Sequence, residues 1–426
     1  MCLTVPAQII ELDGTVATVK DSTGIKKIQI TLIPDLKVGD WILYIDNFAV
    51  EKVDKHEAGE ILELLSAPDQ QIDNSLLSEK FKTIIKDSKL RTLTKEEIIY
   101  LLETQNIEEA ALVAEANLVR KTNIKDFICI HGIIEFSNWC TNDCAYCGLR
   151  EANKTIGRYR MTIDEIVKTA VEAVNITGYK LLVLQSGDDP FYTDDMLVEI
   201  IEKIKAECRV FILVSVGERG YDCYKRLKEV GVSGALLRFE TTNPILFQKM
   251  HGVGKKLTNR MQHLKFLREL GYFVATGSIV GLPGQTIEDV ADDVLTTKQL
   301  AHMVSTGPFV PCDETPLVNL PQGSVDLCFK AIAIYRLMLK STRIPVATAL
   351  ETIAGEDGRK KALQAGANSL MFNITPEKYR PLYKIYPNKF FQEKTIWQKY
   401  GLFKYEESYK MLEERMIKEI TKYVTD

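Results

Sequence analysis

From residue 126 onward the chain alternates between short, buried-type apolar runs and longer stretches with helical spacing. The apolar runs fall near 127–136, 180–186, 209–215, 234–240, 272–280, 301–306, 345–349 and 368–372. The helical stretches include 162–177, 193–206, 257–270 and 323–340. Strands separated by whole helices run parallel rather than as hairpins. Eight such steps predict an α/β fold of the (β/α)8, TIM-type barrel class over residues 124–400. In that architecture chemistry sits at the carboxyl ends of the strands, so the polar residues just beyond each run are the ones to watch.

The first 67 residues read differently. Short runs at 8–12, 15–19, 26–31, 40–45 and 49–53 are separated by turn residues such as Asp13-Gly14 and Gly39-Asp40. That spacing predicts a small OB-like β-barrel over 1–67, closed by a helix that carries Ala58, Ile61, Leu62 and Leu65 on one face. A polar linker at 68–74 and helices up to 123 lead into the larger unit. There Thr94 and Glu97 form a capping-box pattern ahead of an apolar run. Residues 401–426 are expected to form a polar C-terminal helix.

Charge excludes one class of function. The 426 residues carry a net −4, leaving no basic excess to neutralise nucleic-acid phosphates. No apolar run is long enough for a bilayer, and the start MCLTVPAQII lacks the basic and apolar regions of a signal peptide. A cytoplasmic protein with no nucleic-acid or membrane partner is expected.

Nine cysteines are present, and an odd number does not suggest a disulfide framework. Cys129, Cys208, Cys223 and Cys328 sit in apolar runs and are expected to be buried thiols. Cys140, Cys144 and Cys147 are packed into eight residues directly after the first barrel strand. Three thiolates at this spacing can hold three corners of a [4Fe–4S] cube and leave the fourth iron open. An open iron can be chelated by the amino and carboxylate groups of S-adenosylmethionine (SAM). The rival readings are a zinc site, which would want a fourth ligand nearby, and three unrelated thiols.

The triplet, with Tyr146 before its last cysteine, resembles the radical SAM signature. The resemblance implies a [4Fe–4S] cluster and SAM as cofactors, with reductive cleavage of SAM to a 5′-deoxyadenosyl radical. It also implies SAM contacts from later strand ends. Ser186-Gly187-Asp188 resembles the turn that meets the SAM amino group. Ser215 and Glu218 would approach the ribose or amine, and Arg238 or Glu240 the methionyl end. The Gly277–Thr286 stretch, with Gly281, resembles the adenine-backing motif. Arg238 and Glu240 can equally form an ion pair inside the barrel.

A wider set of stretches resembles the HydE family of [FeFe]-hydrogenase maturases, in the biotin-synthase-like group. These include Phe136-Ser-Asn-Trp-Cys140, Cys147-Gly-Leu-Arg150, Arg158-Tyr-Arg-Met161 and Asn373-Ile-Thr375. That family implies a small-molecule or organometallic substrate. Thr348, Ala349, Tyr379 and Tyr383 would line its cavity, Arg219 would meet an anionic group, and a flavodoxin or ferredoxin would serve as reductant. Some members hold a second cluster on later cysteines. The last cysteine here is Cys328, so that cluster is not expected. A second relative is the methylornithine synthase family, which implies amino-acid radical chemistry.

The opening Met1-Cys2-Leu-Thr-Val-Pro6, with Val38-Gly39-Asp40 and Phe48-Ala49-Val50-Glu51-Lys52, resembles the HypC family of hydrogenase maturation chaperones. There Cys2 becomes the terminal residue and its thiolate holds an iron fragment with a HypD-like partner. The resemblance implies Cys2 as an iron ligand and a HypD-like or hydrogenase partner protein. HypC proteins generally carry a histidine in the strand before Phe-Ala; here Ile45 stands in its place. Two further functions follow: delivery or receipt of an iron fragment by the small module, or a non-catalytic assembly chaperone.

Overall fold

The structure is a computed structural model describing residues 5–21, 24–31, 33–45, 47–65, 72–124, 128–252 and 254–389. Cys2, most of the 68–74 linker and the 401–426 segment lie outside the described residues.

Five strands form the N-terminal module: β1 (Val5–Asp13), β2 (Val16–Asp21), β3 (Gly24–Gln29), β4 (Trp41–Ile45) and β5 (Phe48–Val53). They close into a barrel in the order β1-β2-β3-β5-β4. β3 meets β5 in parallel and the other pairs are antiparallel. Alternation sets its core: Ala7, Ile9, Ala17, Val19, Ile28 and Ile42 point inward and are nearly solvent-free, as period-two patterning requires. Helix α1 (Lys55–Leu65) packs on β1 and β4. Its Ala58 and Ile61, with Leu43 and Val53, belong to the same apolar core as the helices of the larger unit.

Helices α2 (Glu79–Ser88), α3 (Lys95–Glu103) and α4 (Asn106–Ile124) follow. The Thr94–Glu97 capping box forms as the sequence predicts: Glu97 N–H donates to Thr94 Oγ1 at 3.3 Å, and Thr94 N–H to Glu97 Oε2 at 2.8 Å.

The large unit then alternates strand and helix. Its strands are β6 (Cys129–Ser137), β7 (Leu181–Ser186), β8 (Phe211–Ser215), β9 (Gly234–Leu236), β10 (Phe273–Thr276), β11 (Ile279–Val280), β12 (Met303–Val304), β13 (Gly307–Pro308) and β14 (Ser369–Asn373). Its helices are α5 (Ile163–Asn175), α6 (Asp194–Glu207), α7 (Tyr221–Glu229), α8 (Pro244–His251), α9 (Leu257–Glu269), α10 (Ile287–Leu300), α11 (Val325–Met338) and α12 (Thr348–Gln364). Seven strands make one parallel sheet in the order β12-β10-β9-β8-β7-β6-β14. β11 and β13 form a short separate ladder.

The expected strand at 272–280 divides into β10 and β11, and the expected strand at 345–349 departs furthest from eight-fold regularity. Extended residues 343–346 connect the two edge strands only through isolated bridges, Met303 to Arg343 and Pro345 to Ser369. Proline has no N–H to give to a ladder, and the helix already begins at Thr348. The result is a partial barrel. Its interior holds Cys129, Ile133, Leu181, Val183, Leu213, Phe273 and Met303, and its carboxyl end is open to the loops.

Candidate active site

β6 ends at Ser137, and a loop with no regular structure of its own carries the three cysteines. Such a loop has backbone groups that must find partners. Arg158 supplies several. Its guanidinium donates to the carbonyls of Asn138 (2.5 Å), Leu149 (2.9 Å), Arg150 (2.8 Å) and Asn153 (3.0 Å), clasping both ends of the loop. Asn138 ties the loop outward by donating to the carbonyls of Gly157 and Leu382. Behind it, Asp189 is fully buried; it accepts from Ser137 Oγ at 2.6 Å and from both Nε and Nη2 of Arg160 at 2.8 and 2.9 Å.

The turn after β7 packs directly on this loop. A Cβ on Gly187 would fall 2.1 Å from the Trp139 carbonyl oxygen and 2.8 Å from Cys140 Cβ, so only glycine lets the two segments meet. The contact brings the Asp188 N–H to 3.4 Å from Cys140 Sγ, where the Asn142 N–H also points. Asp188 Oδ2 accepts from Asn142 Nδ2 at 3.0 Å.

All three cysteines line one cavity of about 360 Å³ at the carboxyl end of the barrel. Burial pushes each thiol up: Cys140 above its ordinary value, Cys144 to about 12 and Cys147 well above. For Cys144 and Cys147 the neighbouring cysteines add to that effect, since three thiolates repel one another. Among the described residues no group of three His, Cys, Asp or Glu is set to hold a metal ion. A cluster makes a different demand, because it spreads its thiolate ligands around a cube.

The same cavity collects most of the other predicted residues. From the strand ends come Ser186, Gly187, Asp188 and Ser215, then Arg238 and Glu240. From the cysteine loop comes Tyr146, and from the opposite wall Thr348, Ala349 and Tyr383. Arg238 Nη2 lies 2.8 Å from Glu240 Oε2. The angle is poor, however, and Arg238 Nε, Arg238 Nη2 and Glu240 Oε2 are all buried without a hydrogen-bond partner. Glu240 also holds a positive φ of 67°, a conformation disfavoured for a residue with a side chain. The two charges offset each other, but buried polar atoms without hydrogen-bond partners are costly unless a ligand completes them. A zwitterionic methionyl group beside a cysteine-held cluster fits that donor set.

Four predicted residues stand outside the cavity wall. Glu218 is bound by Arg260, whose Nη1 also donates to the Arg238 carbonyl. Arg260 lines the cavity in its place. Gly281 (φ 81°) packs against Gly323 and Ser324, where a Cβ would come within 2.6 Å of Gly323 Cα; its neighbour Ile279 faces the cavity. Arg219 donates to the backbone carbonyls of Tyr192 and Asp189 at 2.7 and 2.5 Å. Tyr379 stacks on Tyr159 with ring centroids 4.7 Å apart and donates to Glu165.

Several cavity residues escaped sequence reasoning. Arg260 and His251 lie on or at the end of helices, where nothing in the local pattern distinguishes them from surface groups. His251 Nε2 meets Tyr146 Oη at 3.1 Å. A buried ion pair of Glu135 and Lys389, joined by Asn373, forms part of the cavity wall beside Tyr383. Glu135 sits mid-strand in an apolar run, which gave no sign of it.

Comparison with known proteins places these features. A family model described as the radical SAM superfamily matches residues 134–296. The Biotin and Thiamin Synthesis associated domain matches 307–424, and the HupF/HypC family matches 1–65. Over 280 residues the chain is 45% identical to the [FeFe] hydrogenase maturase subunit HydE of Thermotoga maritima, covering 66% of this chain and 79% of that protein. It is 31% identical to the 3-methylornithine synthase of Methanosarcina acetivorans over 294 residues, 67% of this chain and 80% of the relative. The crystal structure of a methylornithine synthase superposes with a TM-score of 0.64 at 27% identity, covering 71% of this chain and 88% of that one. The chain thus belongs to the radical SAM family as a HydE-like enzyme with an N-terminal HypC-like domain.

Proposed function

We propose that this enzyme acts in hydrogenase metallocofactor maturation, on a small thiol-bound or organometallic iron substrate. One observation carries the reading: matches to two separate maturation families, HydE and HypC, lie in one chain. When bound, a [4Fe–4S] cluster supplies the electron that cleaves SAM to methionine and a 5′-deoxyadenosyl radical.

The chain's own residues divide the remaining work. Cys140, Cys144 and Cys147 hold three irons. Arg238 and Glu240 complement the carboxylate and ammonium of SAM, because opposite charges at hydrogen-bond range are strongest where water is excluded. Tyr146, Ser186, Gly187, Asp188 and Ser215 shape the rest of that pocket, and Glu218 acts through Arg260. Thr348, Ala349 and Tyr383 face the substrate, while Arg219 and Tyr379 brace the loops around it. The HypC-like module binds or hands over an iron fragment through Cys2, or docks a HypD-like or hydrogenase partner.

Anaerobic reconstitution with iron, sulfide, SAM and a reductant tests the chemistry. 5′-Deoxyadenosine is expected, and a Cys140→Ala/Cys144→Ala/Cys147→Ala variant sets the background. Yield no higher than that variant's would sink the proposal. For the small module, Cys2→Ala is expected to weaken capture of a maturation partner while leaving SAM cleavage intact. The 31% identity to 3-methylornithine synthase favours one second reading. Incubation with lysine and SAM, followed by mass spectrometry for methylornithine, decides between the two.

A further inference from the structure

The residue before the first cluster cysteine is exposed. Trp139 is 41% accessible, and Phe191, from the turn after β7, is 50% accessible. The Arg160 guanidinium lies over both rings, 4.4 Å from the Trp139 centroid and 4.6 Å from that of Phe191. An exposed pair of large aromatics fixed by an arginine is the composition of an interface rather than of ordinary surface.

Residues 150–160 carry a net +3 and residues 376–388 a net +2, in a chain whose total is −4; Arg150, Arg160 and Lys378 are paired with Asp143, Asp189 and Glu165, which leaves Lys154 and Lys384 as the outward charge. The two segments meet on the cysteine loop: Gly148 N–H donates to the Ile385 carbonyl at 2.9 Å, and Asn138 donates to the Leu382 carbonyl at 2.7 Å. Lys154 and Lys384, both exposed, extend this charge outward. Like-signed charge gathered on one face steers an oppositely charged partner.

We propose that the face built from Trp139, Phe191, Arg160, Lys154 and Lys384 docks an acidic one-electron carrier protein. The proposal rests on the radical SAM reading and adds the entry point for its electron. One electron passes from the reduced carrier to the cluster; the carrier is oxidised by one electron and the cluster reduced by one, with no bond made or broken in that step. Trp139 is joined covalently to Cys140, so a carrier on this face has a short path to a cluster ligand. Interfaces between redox partners are small and transient, which suits two aromatic anchors beside two exposed lysines.

Oxidised flavodoxin, which is acidic, is the probe for binding. At low ionic strength Lys154→Glu/Lys384→Glu is expected to raise its Kd about tenfold, and added salt to erase the difference. The control reversal Lys225→Glu/Lys265→Glu, at two exposed lysines elsewhere, is expected to leave Kd unchanged. In turnover the half-saturating concentration of reduced flavodoxin rises in parallel. 5′-Deoxyadenosine formation driven by photoreduced deazaflavin, a small neutral donor, stays the same.

An unchanged Kd in the first variant overturns the proposal, as does equal weakening in the control. Equal loss in the deazaflavin arm overturns it too, by placing the lysines in the chemistry rather than at the dock. Failure of the wild-type enzyme with deazaflavin would instead reject SAM cleavage itself, and the binding titration would still report on the face.

Discussion

Cys129 opens β6 and Cys140 lies just past its end, and the two ends of this strand treat a thiol in opposite ways. At the closed end Cys129 is fully buried. Burial alone would raise its pKa, but His131 and Arg343 outweigh it and hold the thiol down at about 5. Ser369 Oγ stands 3.0 Å from both His131 Nε2 and the Cys129 carbonyl, tying that end to β14. At the open end the balance reverses: burial and mutual repulsion drive Cys144 and Cys147 toward the protonated state. The fold thus supplies compensating charge to the thiol that lies away from the cysteine-lined cavity. The three that line the cavity are left to be compensated by metal, whose binding deprotonates them.

The sharpest way to break this comparison is to remove one thiol from each end. Cys144→Ala is expected to abolish 5′-deoxyadenosine formation and the visible absorption of the reconstituted cluster. Cys129→Ala is expected to keep both, because its side chain serves packing and local charge. Loss of iron on Cys129→Ala would erase the distinction.

The next largest effect falls on the scaffold of the open end. Asp189 gathers Ser137, Arg160 and the Phe191 N–H around one buried carboxylate. Asp189→Ala strands Arg160, whose side chain is 30% exposed, and leaves Ser137 only the Tyr159 carbonyl, at 3.4 Å. The expected cost is about 2 to 3 kcal/mol, below that of a fully buried pair. Chemical denaturation of the reconstituted protein reads it, and cluster retention should fall with it.

How much of this was legible before the structure follows from how each residue is specified. The cysteine triplet was, because its ligands are consecutive on one loop and their spacing is the chemistry. The barrel was, because the strands of its seven-stranded sheet are apolar runs separated by helices. What failed was local exceptions to those patterns. The strand at 345–349 gave way because Pro345 cannot donate to a ladder and a helix starts at Thr348. Glu218 and Gly281 have the expected residue type at the expected strand end. Their actual partners, Arg260 and Gly323, come from elsewhere in the chain, so no local reading could place them. Arg260, His251 and Lys389 were missed for the same reason.

A smaller effect sharpens the closed end. A thiol whose folded pKa lies below its ordinary value of 9.0 stabilises the fold fully above pH 9. That contribution is lost as pH falls toward its folded value of about 5. The unfolding midpoint should therefore rise from pH 5 to pH 9 more steeply in the wild type than in Cys129→Ser, which has nothing to titrate at that position. A difference of roughly 2 °C or more across the window is expected, equivalent to about 1 kcal/mol. Identical slopes would mean that Cys129 stays protonated and that the two ends of β6 do not differ in charge.

The smallest effect probes the open end without touching a thiol. Tyr146 precedes Cys147, and its hydroxyl meets His251 Nε2 at 3.1 Å. Burial, reinforced by Arg260, lowers the His251 pKa to about 4, so the ring is neutral near pH 7. Its Nδ1 lies 2.9 Å from the Phe247 carbonyl. The proton therefore belongs on Nδ1, and Nε2 accepts from tyrosine. His251→Leu removes that acceptor and leaves the buried hydroxyl only the Cys144 sulfur, a weaker partner, at about 1 kcal/mol. Because the tyrosine lines the cavity, the KM for SAM should rise a few-fold with kcat little changed. His251→Gln, which keeps an acceptor oxygen, should recover most of the affinity. A fall in kcat at constant KM would instead put His251 in the chemical step, and the open end would then owe more to its helices than to its cysteine loop.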